Sequence, residues 1–121
     1  MKFTSSLQKN HEFKRLYNKG KSAASQCVVV YCARNRENGN RLGITVSKKI
    51  GGAVQRNRIR RRLKEIYRLS EEKLAKGYDI VVVARARCRY ASYHEIESSV
   101  LAMLKKLNLT AHEHNSRGDI R

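Results

Sequence analysis

Few side chains in this 121-residue sequence could carry acid–base or metal chemistry, and they do not assemble into a site. Metal-assisted hydrolysis needs clustered carboxylates, and acid–base catalysis needs paired bases or acids. Aspartate occurs only at Asp79, leading into a predicted strand, and at Asp119 in the tail. Glu71-Glu72 and Glu95/Glu97 read as solvated charge on helix surfaces. His11 and His94 lie far apart near helix starts, and His112 and His114 form a weak HxH metal signal in the tail. No catalytic side chain and no metal site on the protein is expected. The 3 cysteines, Cys27, Cys32 and Cys88, show no CxxC spacing. Cys27 and Cys32 fall in one predicted strand with opposite parity, hence on opposite faces, unable to bridge locally. All three read as small buried residues of a reducing compartment.

Another chemistry is written plainly in SKKIGGAVQRNRIRRRLKEIYR, residues 47–68. At 100° per residue, Ile59, Leu63, Ile66 and Tyr67 cluster on one side of a helix, the stripe that packs on a sheet. Arg60, Lys64, Asn57, Arg68 and Arg61 occupy one flank, Arg58 and Arg62 the other, and Arg56 sits near the edge of the stripe. Glu65 is the only acid between Arg56 and Arg68, so the arginines repel one another without enough helical partners to neutralise them. Something outside the chain must supply negative charge. Guanidinium forks match phosphate oxygens bidentately. Lys48, Lys49 and the flexible Gly51-Gly52 pair precede a helix N-terminus, where free N–H groups and the helix dipole also favour an anion. A membrane-surface or calmodulin-type helix would need that narrow apolar stripe free, but the sheet claims it.

The elements that must hold this helix follow from periodicity and punctuation. Asn10 is expected to cap a first helix with Phe13, Leu16 and Tyr17 on its apolar side, ended by Gly20. QCVVVYCAR (26–34) is apolar on both faces and reads as a central strand. Asn38-Gly39 within RENGN predicts a hairpin turn into RLGITVS (41–47). The basic helix runs to about Ser70, EEKLAKG is partly helical, and YDIVVVARA (78–86) is another strand. Ser92 with Glu95 predicts a capping box for a last helix whose buried stripe is Ile96, Val100, Leu104 and Leu107. This is one α+β domain spanning 1–121, a small, mainly antiparallel sheet packed with helices in the order α-β-β-β-α-β-α, with residues 1–5 and 110–121 expected loose.

The totals agree with an anionic partner. Lys+Arg 27 against Asp+Glu 10 gives a net charge of +17 and a pI near 10.4. Such an excess marks nucleic acid or an anionic membrane face as partner. The hydrophobic fraction of 40% is that of a folded domain rather than a disordered tail. No stretch has the length of a signal peptide core or of a membrane span, so a cytoplasmic monomer is expected.

GITVSKKIGGAVQRNRIRRRLKEIYR (43–68), with HEFKRLYNKGKS (11–22) before it and YDIVVVAR (78–85) after it, resembles the protein subunit of bacterial ribonuclease P. The resemblance covers residues 5–107 in order. It implies a subunit that binds a large catalytic RNA and helps it remove the 5′ leader from precursor tRNA, magnesium bound mainly by RNA carrying the chemistry. It implies a grip on that RNA by Arg56, Asn57 and Arg58 and the basic residues after them, Arg60, Arg61, Arg62, Lys64 and Arg68, with Lys48 and Lys49 in the preceding loop. It also implies a leader cleft at Phe13, Tyr17 and Tyr31, and a left-handed crossover around the basic helix, against the usual right-handed rule. Gly52 departs from the family's usual asparagine, which puts a polar or metal-adjacent role there in doubt.

The residues allow part of this independently. Phe13 and Tyr17, one helical turn apart, can form an aromatic edge on which unpaired bases stack with little sequence preference. Core packing of Phe13 and Tyr31 remains an equal alternative, whereas the Tyr17 hydroxyl requires a polar partner or solvent. A ribosomal or ribosome-associated structural protein would explain the charge, and an independent endonuclease would cleave without RNA.

Overall fold

Two alternating patterns build the sheet. In β3 (Val28–Arg34), Val28, Val30 and Cys32 are buried on one side while Val29, Tyr31 and Ala33 are half-buried on the other. In β5 (Tyr78–Ala84), Ile80, Val81 and Val82 are all buried, the pattern of a strand covered on both faces. The computed structural model describes residues 1–110. The remaining elements are β1 (Thr4–Ser6), α1 (Asn10–Lys19), β2 (Lys21–Ala24), β4 (Asn40–Thr45), α2 (Ala53–Ser70) and α3 (Tyr93–Lys106). Single 3-10 turns lie at Lys48–Ile50, Glu71–Lys73 and Ala86–Arg89. His112, His114 and Asp119 lie outside the described residues.

The sheet has five strands in the order β1-β4-β5-β3-β2. β2–β3 and β3–β5 are antiparallel, whereas β1–β4 and β4–β5 are parallel, so the sheet is mixed rather than mainly antiparallel. The predicted 36–40 hairpin does not form. β5 inserts between β3 and β4, pairing Val30 with Val82 on one edge and Ile44 with Val82 on the other. Insertion gives the most apolar strand a hydrogen-bonded neighbour on both edges. The connecting loop turns at Arg36, with φ of 64°, and Asn35 holds it by donating to the Gly39 carbonyl and accepting the Glu37 N–H.

α2 and α3 cover one face of the sheet and α1 the other. The larger core contains Ile59, Leu63, Ile66 and Tyr67 from α2, the stripe expected from the sequence. In α3, Met103 joins Ile96, Val100 and Leu104 in the larger core, while Leu107, just past the helix end, is half-buried. The smaller core lies under α1, where Leu16, Leu7 and Val81 are buried against Phe13 and Tyr31. Cys27 sits just before β3 and so escapes strand alternation, placing it in the same larger core as Cys32. All three cysteines are buried free thiols.

Several local expectations change. α1 begins at Asn10 rather than being capped by it, and the Glu12 carboxylate accepts the Lys9 N–H. Ser92 caps α3 by accepting the Glu95 N–H, but the Glu95 carboxylate turns to Arg87, so only half the predicted box exists. Thr4 and Ser5, expected loose, pair in parallel with Asn40 and Arg41 as part of β1, and Thr110 bridges to Leu74.

Candidate nucleic-acid interface

The basic helix presents its charges as its periodicity requires. Arg58, Arg60, Arg61 and Lys64 are exposed and Arg62 is partly so, while the stripe between them is buried. One shallow hollow is lined by Val54, Asn57, Arg60, Arg61 and Lys64, and another by Arg58, Arg61, Arg62, Glu65 and Tyr93, so the two cationic flanks lie on either side of the helix crest. Among the described residues, no ion pair involves Arg56, Arg58, Arg60, Arg61, Arg62 or Lys64. Arg68 differs: its guanidinium grips the Glu65 carboxylate twice, at 2.8 Å each, and is the least available of the predicted set. Arg56 donates to the Gly51 carbonyl at 3.2 Å, holding the glycine loop against the helix start. Lys48 and Lys49 are exposed in the turn before it, which Ser47 closes by accepting the Lys49 N–H. Gly52 is the N-cap of α2, and a Cβ there would meet nothing within 4 Å, so the position has room for a side chain.

The aromatic residues do come together, on the opposite face of the sheet. Tyr17 stands edge-on to Tyr31 with ring centroids 5.0 Å apart, and Phe13 lies 6.4 Å from Tyr17. Tyr17 is 39% exposed, and its hydroxyl shares a hydrogen bond with Thr45 Oγ1 at 3.2 Å, linking α1 to β4. Phe13 and Tyr31 are half-buried, each both packed and reachable. Gly43 sits under Phe13: a Cβ there would lie 2.6 Å from two ring carbons, so the ring occupies space that only glycine leaves free. Phe13 also borders a cleft that reaches Ser5, Ser6, Arg60 and Lys64, so the aromatic face opens toward the basic helix.

Buried electrostatics set this geometry. Arg41 holds Asp79, which is 1% exposed, through two bonds of 2.8 and 2.7 Å, and also pairs with Glu12. One guanidinium thereby ties α1 to β4 and β5 and fixes where Phe13 and Tyr17 sit. Hydrogen bonds from Arg41 to Asp79 and then Glu12 outweigh its partial burial and raise its pKa further. Glu71 is not solvated as expected but 2% exposed, accepting the N–H groups of Lys2 at 2.7 Å and Phe3 at 3.1 Å. Burial pushes its carboxyl up, but hydrogen bonds from Thr4, Lys2 and Phe3 and the nearby N-terminal charge outweigh this and hold it below the ordinary carboxylate range. Neither residue carries a periodic signal, because each acts through partners distant in sequence. Among the described residues, no group of three or more His, Cys, Asp or Glu could hold a metal ion, and no helix is long and apolar enough to cross a membrane.

A mixed five-stranded sheet with an arginine-faced crossover helix on one side and an open aromatic edge on the other defines a small α+β domain shaped to meet a polyanion. The family model for Ribonuclease P matches residues 1–108. A "Ribonuclease P protein component" from Alkaliphilus oremlandii is 50% identical over 109 residues, 90% of this chain and 96% of that protein. Another from Alkaliphilus metalliredigens is 42% identical, covering 90% and 98%. Among solved structures, the Staphylococcus aureus RNase P protein superposes with a TM-score of 0.81 at 35% identity, over 89% of this chain and 97% of that one. The Thermotoga maritima RNase P protein gives 0.77 at 30% identity, over 84% and 96%. The chain belongs to the ribonuclease P protein family, the protein components of an endoribonuclease.

Proposed function

We propose that this chain binds the catalytic RNA of ribonuclease P through α2 and the Lys48–Lys49 turn, and holds the 5′ leader of precursor tRNA in the aromatic cleft. The observation that carries this reading is the pairing of an uncompensated arginine face with a separate, half-open aromatic face on one rigid sheet. The first suits phosphates regardless of sequence; the second suits unstacked bases of any identity. A processor of many different leaders needs that tolerance.

The protein's part is positional and electrostatic. Bringing a polyanionic substrate against a polyanionic ribozyme is opposed by repulsion, which guanidinium groups on α2 reduce. Magnesium belongs with the RNA phosphates, because cations, aromatics and hydroxyls dominate this interface and its one acid, Glu65, is already held by Arg68. The RNA carries the phosphodiester hydrolysis. The ribosomal alternative accounts for the arginines but gives the Phe13–Tyr17–Tyr31 cleft no task.

The test is reconstitution of the full chain with its catalytic RNA and a precursor tRNA. Tyr17→Ala is expected to leave assembly intact and to reduce the preference for precursor over mature tRNA about tenfold, the worth of one stacked base. An equal effect on both tRNAs would remove the leader assignment. Cleavage of either RNA by purified protein alone would overturn the division of labour.

A further inference from the structure

We propose that Arg89 and Tyr90 form a stacking platform for an unpaired nucleotide of the catalytic RNA, a contact distinct from the arginine face of α2 and from the aromatic cleft. This inference rests on the reading of the chain as that RNA's partner. Residues 85–90, RARCRY, hold three arginines and no acid. Cys88 and Ala91 are buried in the larger core and fasten the segment from below. Between them, Arg89 and Tyr90 turn outward, and Tyr90 is 75% exposed.

A single exposed ring needs no explanation by itself. Here, however, the Arg89 guanidinium lies over the Tyr90 ring, 5.5 Å from its centroid, and covers one face. Arg89 also donates to the Ile50 carbonyl at 3.4 Å, joining the platform to the turn that carries Lys48 and Lys49. The ring is thus held on one side by a cation and left open on the other. Lys48 and Lys49, both exposed, belong to the turn that Arg89 holds and add positive charge to this side of the molecule. A flat apolar face backed by a cation is complementary to a nucleobase flanked by phosphates. Position selects the RNA. The segment packs against the turn before α2 and against α2 itself, on the larger-core side of the sheet, whereas the aromatic cleft lies over the smaller core. It therefore extends the footprint of the basic helix rather than that of the leader.

The chain has no tryptophan, so Tyr90→Trp installs a single indole reporter. On titrating the full chain with its catalytic RNA, the indole emission is expected to fall as the base stacks, with assembly close to that of the unmodified chain. Tyr90→Ala is expected to weaken assembly about tenfold. It should leave the ratio of precursor to mature tRNA binding unchanged, and Tyr90→Phe should restore assembly because the ring, not the hydroxyl, makes the contact. Binding with unchanged indole emission, or Tyr90→Ala assembly within about twofold of the unmodified chain, would overturn the platform alone. So would a loss confined to precursor tRNA. An unmodified chain that did not bind the catalytic RNA would overturn the functional reading first and the platform with it.

Discussion

At the scale of single residues, the aromatic cleft depends on what is missing as much as on what is present. Phe13 lies where it does because Gly43 has no Cβ: one there would lie 2.6 Å from two carbons of the ring, so one of the two must shift. Gly43→Ala should tilt the Phe13 ring away from the sheet and disturb the Tyr17 and Tyr31 edge beside it. Overpacking of this kind costs about 1–3 kcal/mol, measurable by denaturant titration. The functional consequence is expected in precursor tRNA binding, with assembly on the catalytic RNA unchanged. Equal precursor affinity before and after the substitution would show that the ring's position is irrelevant to the leader.

At the scale of elements, α2 does two jobs with two sets of residues. Its buried stripe fixes the crossover between β4 and β5, and its cationic flanks stay free because almost no acid accompanies them. Arg58 and Arg62 line one hollow beside Tyr93 on α3, and neither has an ion-pair partner among the described residues. If the chain covers about 6 phosphates, the log–log salt slope of binding is roughly −4 to −5. Replacing Arg58 and Arg62 by alanine should weaken assembly and make that slope shallower by about 2, since each lost phosphate contact removes about one. An unchanged slope would place those arginines outside the interface. Arg68→Ala should do less, because Glu65 already neutralises that guanidinium.

At the scale of the whole molecule, the N-terminal strand and the far end of α2 hold each other. An acid at a helix C-terminus faces the unfavourable end of the dipole, and Glu71 is tolerable there because it receives the Lys2 and Phe3 N–H groups. Its folded pKa lies below the ordinary 4.5, so the unfolded chain binds more protons in that range. Stability from this contact is full above the unfolded value and is lost as pH falls through the folded one. Acid titration of the full chain should therefore release β1 below about pH 4.5, seen as loss of amide protection at Leu7 and Asn40. Glu71→Gln should abolish that pH dependence and lower stability at neutral pH by about 1–3 kcal/mol. Retention of the same acid transition in that variant would assign it to other carboxylates.

The buried stripe of α2, the strands β3 and β5 and the aromatic pair on α1 were legible because each carries its own local apolar pattern. The uncompensated cationic flanks of α2 were legible too, because charge without compensating charge is a property of the sequence itself. Strand order was not: Asn38-Gly39 favours a turn, and only the need to bury β5 on both faces and pair both its edges separates β3 from β4. Polar β1 carries no apolar signal, since Glu71, Asn40 and Tyr67 hold it from far along the chain. Periodicity and net charge are sums over neighbours in sequence, so the chain alone determined which helix carries the uncompensated arginines. Partners for Arg41, Glu71 and Arg89 exist only after the fold has brought distant segments together, and that placement belongs to the tertiary structure.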